Sequence, residues 1–317
     1  MAKYVLKRIL MMIPIVLGVI LVVFAVLYFI PGSRIRSMPS LSGGDALDSV
    51  YTFLRVGDNF LTKYVRYCYN VIAKFDFGTF GTTARLLTAE MSYRLRNTVF
   101  LLISGVAVTV IAGIPVGVYA ATRKDRPADR IVTTISLFLS SIPNYAIAMV
   151  LTLLLCVNFR LLPLIPVYTE PIAYLLPAIT ISLGGLSSIS RITRTSVLEV
   201  LEQPYITALR SKGVKETSVV WRHALKNALV PVVSTLGGLI TQLLCGTLVV
   251  EYFFNVPGLG TFMLRSVTER EHMSILACTV LMTLILSATN TSTDILYAFF
   301  NPQIRLRYSK RTARNEE

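Results

Sequence analysis

Charge is scarce in this chain. Asp, Glu, Lys and Arg make up 15% of its 317 residues and hydrophobic residues 54%, against roughly 25% and 45–50% in a soluble globular domain. The apolar residues also stand in long blocks instead of alternating with polar ones, which excludes an ordinary soluble domain and makes membrane lipid the main solvent. No glycine is followed by lysine, so the Gly-x-x-x-x-Gly-Lys-[Ser/Thr] loop that cradles nucleotide phosphates is absent. Neither His-Glu-x-x-His nor Gly-x-Ser-x-Gly occurs. The two histidines, His223 and His272, fall on opposite membrane faces in the topology derived below, which rules out a shared metal site or catalytic couple. Cys68, Cys156, Cys245 and Cys278 form no CxxC or Cys/His cluster. They read as small packing residues, not as a disulfide framework or zinc site. A net charge of +14 would suit nucleic acid, but the basic residues lie at the ends of apolar runs and are not interleaved with exposed aromatics. No catalytic residue, cofactor-binding residue, metal ligand or nucleic-acid partner is expected.

What the chain does have is six apolar runs. The first, Ile9 to Ile30, is free of charge. At about 1.5 Å per residue it reaches about 33 Å, enough to cross a hydrocarbon core of roughly 30 Å. It is longer than the roughly 7–15 residues of a signal h-region and ends in Ile30-Pro31-Gly32, so it reads as a retained anchor. Further runs lie at about 97–122, 131–158, 174–190, 229–254 and 273–298. Lys3, Lys7 and Arg8 before the first run keep the amino terminus inside. Alternating from there, the inner segments are that terminus, 123–130, 191–228 and 299–317, which together carry nineteen Lys and Arg. The short outer connections, 159–173 and 255–272, carry three. Both termini are therefore expected in the cytoplasm. Residues 31–96 are polar, with nine Lys/Arg and five Asp/Glu, and are expected outside; the positive-inside rule governs only shorter loops.

Gly113-Ile114-Pro115, Ser141-Ile142-Pro143 and Gly184-Gly185 interrupt the runs. Membrane helices tolerate such residues where neighbours satisfy the freed backbone groups, and small side chains permit close packing. Ionisable groups inside the runs are few, Glu251 near an outer end and Asp294 near an inner end, with none at the midplane. An ion-coupled carrier usually needs charge at the midplane.

The loop 191–228 is the most informative stretch. Pro204 can open a helical turn, Tyr205-Ile206-Thr207-Ala208-Leu209 is short and amphipathic, and Gly213 gives a stop. Such a loop would present a short helix below the membrane to a cytoplasmic partner. Its charge alone fits a solvated basic loop equally well.

Thr207-Ala208-Leu209 followed three residues later by Gly213 resembles the Glu-Ala-Ala-x-x-x-Gly loop of bacterial ABC importer permeases. The whole stretch Tyr205 to Gly213, with Arg222 to Ala228, is similar to the peptide/nickel branch. So are Val250-Glu251-Tyr252, Pro257-Gly258-Leu259-Gly260, Asp76-Phe77-Gly78, Asp294-Ile295-Leu296-Tyr297 and Asn301-Pro302-Gln303. Departures are Ser33-Arg34 for the Asp-Pro of Pro-Gly-Asp-Pro, Asn301 for Asp, and Thr207 for the first Glu of the loop.

The resemblance implies an all-α, type I ABC importer permease fold of about six transmembrane helices in the bacterial cytoplasmic (inner) membrane. The expected divisions are an anchor helix at 1–30, an extracytoplasmic insertion at 31–94 and a transmembrane domain at 95–298 with a coupling loop at 195–228. A cytoplasmic tail follows at 299–317. The implied partners are a second homologous permease, two ATPase subunits carrying ATP and Mg, and an extracytoplasmic substrate-binding protein. ATPase docking falls to Tyr205, Ile206, Thr207, Ala208, Leu209 and Gly213. Glu251, Pro257, Gly258, Gly260 and Asp294 are motif residues without an assigned role. Peptide is the substrate implied, with nickel or oligosaccharide as alternatives within the family. An ion-coupled secondary transporter and a scaffold or insertion factor are the rivals outside it, and neither needs an ATPase.

Overall fold

The computed structural model describes residues 2–30, 59–80, 85–163, 168 and 170–300. Among them the regular structure is helical apart from one two-residue antiparallel ladder, with Thr79 opposite Leu86 and Phe80 opposite Arg85. Five helices are long and apolar enough to cross a membrane, and a sixth span results if one bent pair is counted as one. The chain divides into two compact units. Of the described residues, one unit takes those within 101–253 and 289–300, the other those within 2–100 and 254–288.

In the second unit, α1 (Ala2–Phe29) packs on a short amphipathic helix, α2 (Phe60–Lys74). Asp76-Phe77-Gly78 then turns the chain. The Asp76 carboxylate accepts the Gly78 N–H at 2.9 Å, Phe77 is wholly buried, and Gly78 takes a positive φ. The ladder leads into α3 (Leu87–Ala121). That helix begins ten residues before the apolar run at 97, so the outer segment expected to reach 94 or 96 ends in helix. The polar first turns, with Glu90 and Arg94 paired across one turn, escape a reading based on apolarity. The motif stretches Pro31 to Arg34 and Asn301 to Gln303 lie outside the described residues, as does most of the carboxyl-terminal tail.

In the first unit, the run expected at 131–158 is two helices, α4 (Pro127–Ser141) and α5 (Asn144–Thr152), the latter continuing as a wider turn to Asn158. They meet at 106°. The cause is local: the ring of Pro143 drives Ile142 into extended backbone (φ −91°, ψ 130°), which ends α4. The next helix, α6 (Leu175–Leu201), runs eleven residues past the expected end at 190, which shortens the inner loop.

The order of close contacts gives the direction of each helix. A Cβ placed on Gly105, Gly113 or Gly117 of α3 would meet Ile181, Ile189 and Ser190 of α6 respectively. Residue numbers rise together, so α3 and α6 are parallel. In contrast, Asp129 of α4 reaches Arg194, and Ser136 reaches Ser190 at 3.2 Å, so α4 is antiparallel to α6. Two parallel helices require the chain to cross back between them, and the bent pair makes that crossing. Later, α8 (Leu225–Phe254) and α10 (His272–Phe300) are antiparallel: Gly237 abuts Thr293, and Thr241 donates to Asn290 at 3.1 Å. Between them lies α9 (Leu259–Thr268), with α7 (Pro204–Ser211) preceding α8 in the inner loop.

Candidate functional site

The inner loop is built around α7. Gln203 is extended (φ −72°, ψ 145°), as a residue before proline must be, and Pro204 takes the first helical position, where a missing N–H costs nothing. Two turns later the helix is closed by a pair of backbone bonds: Gly213 N–H to Arg210 C=O at 2.9 Å and Val214 N–H to Leu209 C=O at 3.2 Å. This is the Schellman arrangement, and it needs left-handed backbone at Gly213, whose φ is +75°. Leu209 and Val214 bring the accompanying apolar contact, both packed on the same cluster.

That cluster corrects the expected docking set. Ile206 is 0% exposed, buried with Val219 and Ala224, and Leu209 packs against the same group beside Val200 and Leu201 of α6. Both side chains fasten α7 to its own chain, and wholly buried Ile206 cannot face a partner, whereas Leu209 stays half-buried. Tyr205, Thr207 and Ala208 are the exposed members. The Tyr205 hydroxyl accepts from Asn227 Nδ2 at 2.8 Å, which fixes the ring at the surface. Trp221 lies exposed in the wide turn Val219–Ala224 and was not singled out from the sequence.

Ion pairs brace the site. Arg210 Nη2 and Nε donate to the two Glu216 carboxylate oxygens at 2.6 and 3.1 Å, bridging the turn after α7. The helix starting at Glu216 continues for 39 residues, about 58 Å at 1.5 Å each. Glu216, Arg222 and Lys226 all precede its apolar run, so its first turns are the part that lies outside a core of roughly 30 Å. There the Arg210 guanidinium holds the Glu216 carboxyl below its ordinary range. Lys124 Nζ reaches Glu202 at 3.0 Å. Deeper, buried Asp129 takes a bidentate grip from Arg194, Nε to Oδ1 at 2.5 Å and Nη2 to Oδ2 at 2.7 Å, and accepts the Asp125 N–H at 3.0 Å. A second apolar cluster, Val118, Ala121, Val197, Val220 and Ala228, joins the basic ends of α3, α6 and α8 to the loop. It shares Val200 and Leu201 with the cluster that holds α7. None of these pairings is readable from spacing, because partners such as Asp129 and Arg194 meet only in the packed bundle.

The other motif residues lie elsewhere. Glu251 is buried in the last turn of α8, and Asp294 is half-buried on α10 next to Thr293. Pro257, Gly258 and Gly260 form the start of α9, held by one face of α3. Asn97 Nδ2 donates to Pro257 C=O at 2.9 Å, and the Leu259 N–H donates to Thr98 Oγ1 at 2.8 Å. Arg94 stacks over the Phe262 ring at 4.3 Å. The sequence offers no sign of this three-residue clamp. Among the described residues no group of three His, Cys, Asp or Glu is placed to hold a metal ion.

Residues 113–306, which hold the whole loop together with Glu251, Pro257, Gly258, Gly260 and Asp294, match the family described as binding-protein-dependent transport system inner membrane component. The chain belongs to that family. It is similar to the glutathione transport system permease protein of Salmonella paratyphi A, with 34% identity over 309 residues, 96% of this chain and 99% of the relative. The dipeptide transport system permease protein of Bacillus subtilis is 30% identical over 307 residues, and the oligopeptide transport system permease protein of the same organism 32% over 316 residues. Each comparison again covers 96% of this chain and 99% of the relative. This is a multi-pass permease subunit of a binding-protein-dependent importer, and the likeness extends through α1 and α2, ahead of the family match.

Proposed function

We propose that this permease carries peptides, glutathione-like tripeptides included, across the bacterial inner membrane with both termini in the cytoplasm. The observation that carries the proposal is likeness over nearly the full length to permeases of glutathione, dipeptide and oligopeptide systems. The three relatives named above are, by name, systems for glutathione, dipeptide and oligopeptide. The energy comes from two separate ATPase subunits that bind ATP and Mg. A second homologous permease completes the path, and an extracytoplasmic binding protein delivers the substrate.

The exposed face of α7, with Tyr205, Thr207 and Ala208, meets the ATPase. Ile206 and Leu209 pass its displacement to the end of α6 and to residues 219–224, and thence to α8. Rocking of the helices then alternates access to the path. The test is uptake by the complete transporter in liposomes with radiolabelled di- and oligopeptide, glutathione, nickel and oligosaccharide. Peptide or glutathione uptake that requires both ATP and the binding protein is expected. Uptake driven by an ion gradient without ATP, or of nickel or glycan alone, overturns the proposal.

A further inference from the structure

Helix α2 carries its side chains the wrong way round for water. Lys63 and Asn70 are buried, at 3% and 7% exposure, whereas Leu61 and Ile72 are 66% and 61% exposed. Val65 and Tyr69 are exposed as well, so residues 61, 65, 69 and 72 form one apolar stripe along a helical face. The exposed Phe75 prolongs it. In water this arrangement leaves large apolar side chains hydrated and encloses a cation. Against hydrocarbon it is the favourable one.

The depth of α2 agrees. Its inward face packs on α1: Phe24 lies 5.6, 6.0 and 6.0 Å from the rings of Phe60, Tyr64 and Tyr67. The Tyr64 hydroxyl donates to Leu17 C=O at 3.0 Å. Phe24 lies about 8 Å below Phe29, and Leu17 about 18 Å below it, at 1.5 Å per residue. These contacts fall within the apolar stretch of α1 that crosses the membrane. The outward face of α1 at the same level is also apolar and exposed, at Val22, Val26 and Phe29, so the stripe on α2 continues a surface already turned to lipid. With 15 residues, α2 is about 22 Å long and does not cross a core of roughly 30 Å.

We propose that α2 is embedded in the leaflet at the Phe29 end of α1, with Leu61, Val65, Tyr69 and Ile72 against lipid acyl chains. The polar side faces protein, where Lys63 Nζ lies 5.9 Å from the Tyr28 ring centre. Exposed Lys74, at the end of the helix, has a stem long enough to reach headgroups. The occupant of the stripe is lipid; a covering by residues 31–58, the second permease or the binding protein is what the test must distinguish from it.

Nitroxide labels placed by Val65→Cys, Tyr69→Cys and Ile72→Cys report this, in assembled transporter in liposomes with the four native cysteines changed to alanine. Val22→Cys in α1 is the lipid-facing reference, and retained peptide uptake shows that each variant is assembled. The labels are expected to be relaxed by oxygen and shielded from a water-soluble nickel chelate, as at Val22. Strong relaxation by the chelate means water, and weak relaxation by both agents means a protein cover; either result overturns the proposal. A phospholipid photoreactive at mid-chain gives a second readout on the protein with native cysteines. It should label residues 61–72, and failure there alongside labelling of α1 overturns the proposal as well.

Discussion

At Gly213 the backbone has φ +75°, and nothing lies within 4 Å of the position a Cβ would take. The obstacle to a side chain is conformational, not a clash within the chain. Left-handed backbone costs an ordinary residue about 1–2 kcal/mol, and Asn tolerates it better than most. Gly213→Asn is therefore expected to retain ATPase subunits on affinity-purified permease, and Gly213→Leu to lose a large share. Equal retention by both would show that this turn is not needed for docking. Around it the exposed and buried faces of α7 should separate. Tyr205→Ala and Ala208→Asp should release the ATPases while leaving the permease as heat-stable as before. Ile206→Ala leaves a cavity worth about 2–5 kcal/mol, so it should lower the melting temperature of the permease alone. Arg210→Ala breaks an exposed pair worth about 0–1 kcal/mol, and gel filtration at moderate salt should show the complex intact.

Among the helices, the seam between α3 and α6 depends on the absence of side chains. A Cβ on Gly117 would meet Ser190 C=O, which is backbone and cannot rotate away. Gly117→Val should force the two helices apart, seen as a lower melting temperature in detergent, whereas Gly184→Ala, which meets nothing within 4 Å, should leave it unchanged. The start of α9 depends on Thr98, and Thr98→Val should cost about 1 kcal/mol, as loss of a helix cap does; an unchanged melting temperature would remove that role. The six apolar runs were legible because a hydrocarbon solvent demands length and apolarity in consecutive residues. Their ends were not. Leu87 to Arg96 is helical through partners such as Glu90 for Arg94, and α6 continues to Leu201 because Val197, Leu198, Val200 and Leu201 pack at the basic end. Ser141-Ile142-Pro143 was legible as an interruption, but proline in a membrane helix is compatible with anything from a slight kink to the 106° bend found.

At the scale of the whole chain, the parallel pair α3 and α6 requires the bent helices between them to count as a crossing. The proposal of cytoplasmic termini carries a test at Ser49, which lies outside the described residues. A membrane-impermeant thiol reagent should label Ser49→Cys in intact spheroplasts and fail to label Thr217→Cys until lysis; the reverse pattern would invert the topology. The loop was legible as a site because proline, a short amphipathic stretch and glycine follow one another in ten residues. Which of its side chains face inward was not, since the residues buried with Ile206, Val219 and Ala224, arrive later in the chain. The same delay governs Asp129 and Arg194, which stand 65 residues apart. A ribosome adding about 5–20 residues per second makes the carboxylate about 3–13 s before the guanidinium. Through that interval Asp129 has local partners such as the Asp125 N–H but not Arg194, so the brace between α4 and α6 is a late contact that cannot form until α6 has been made.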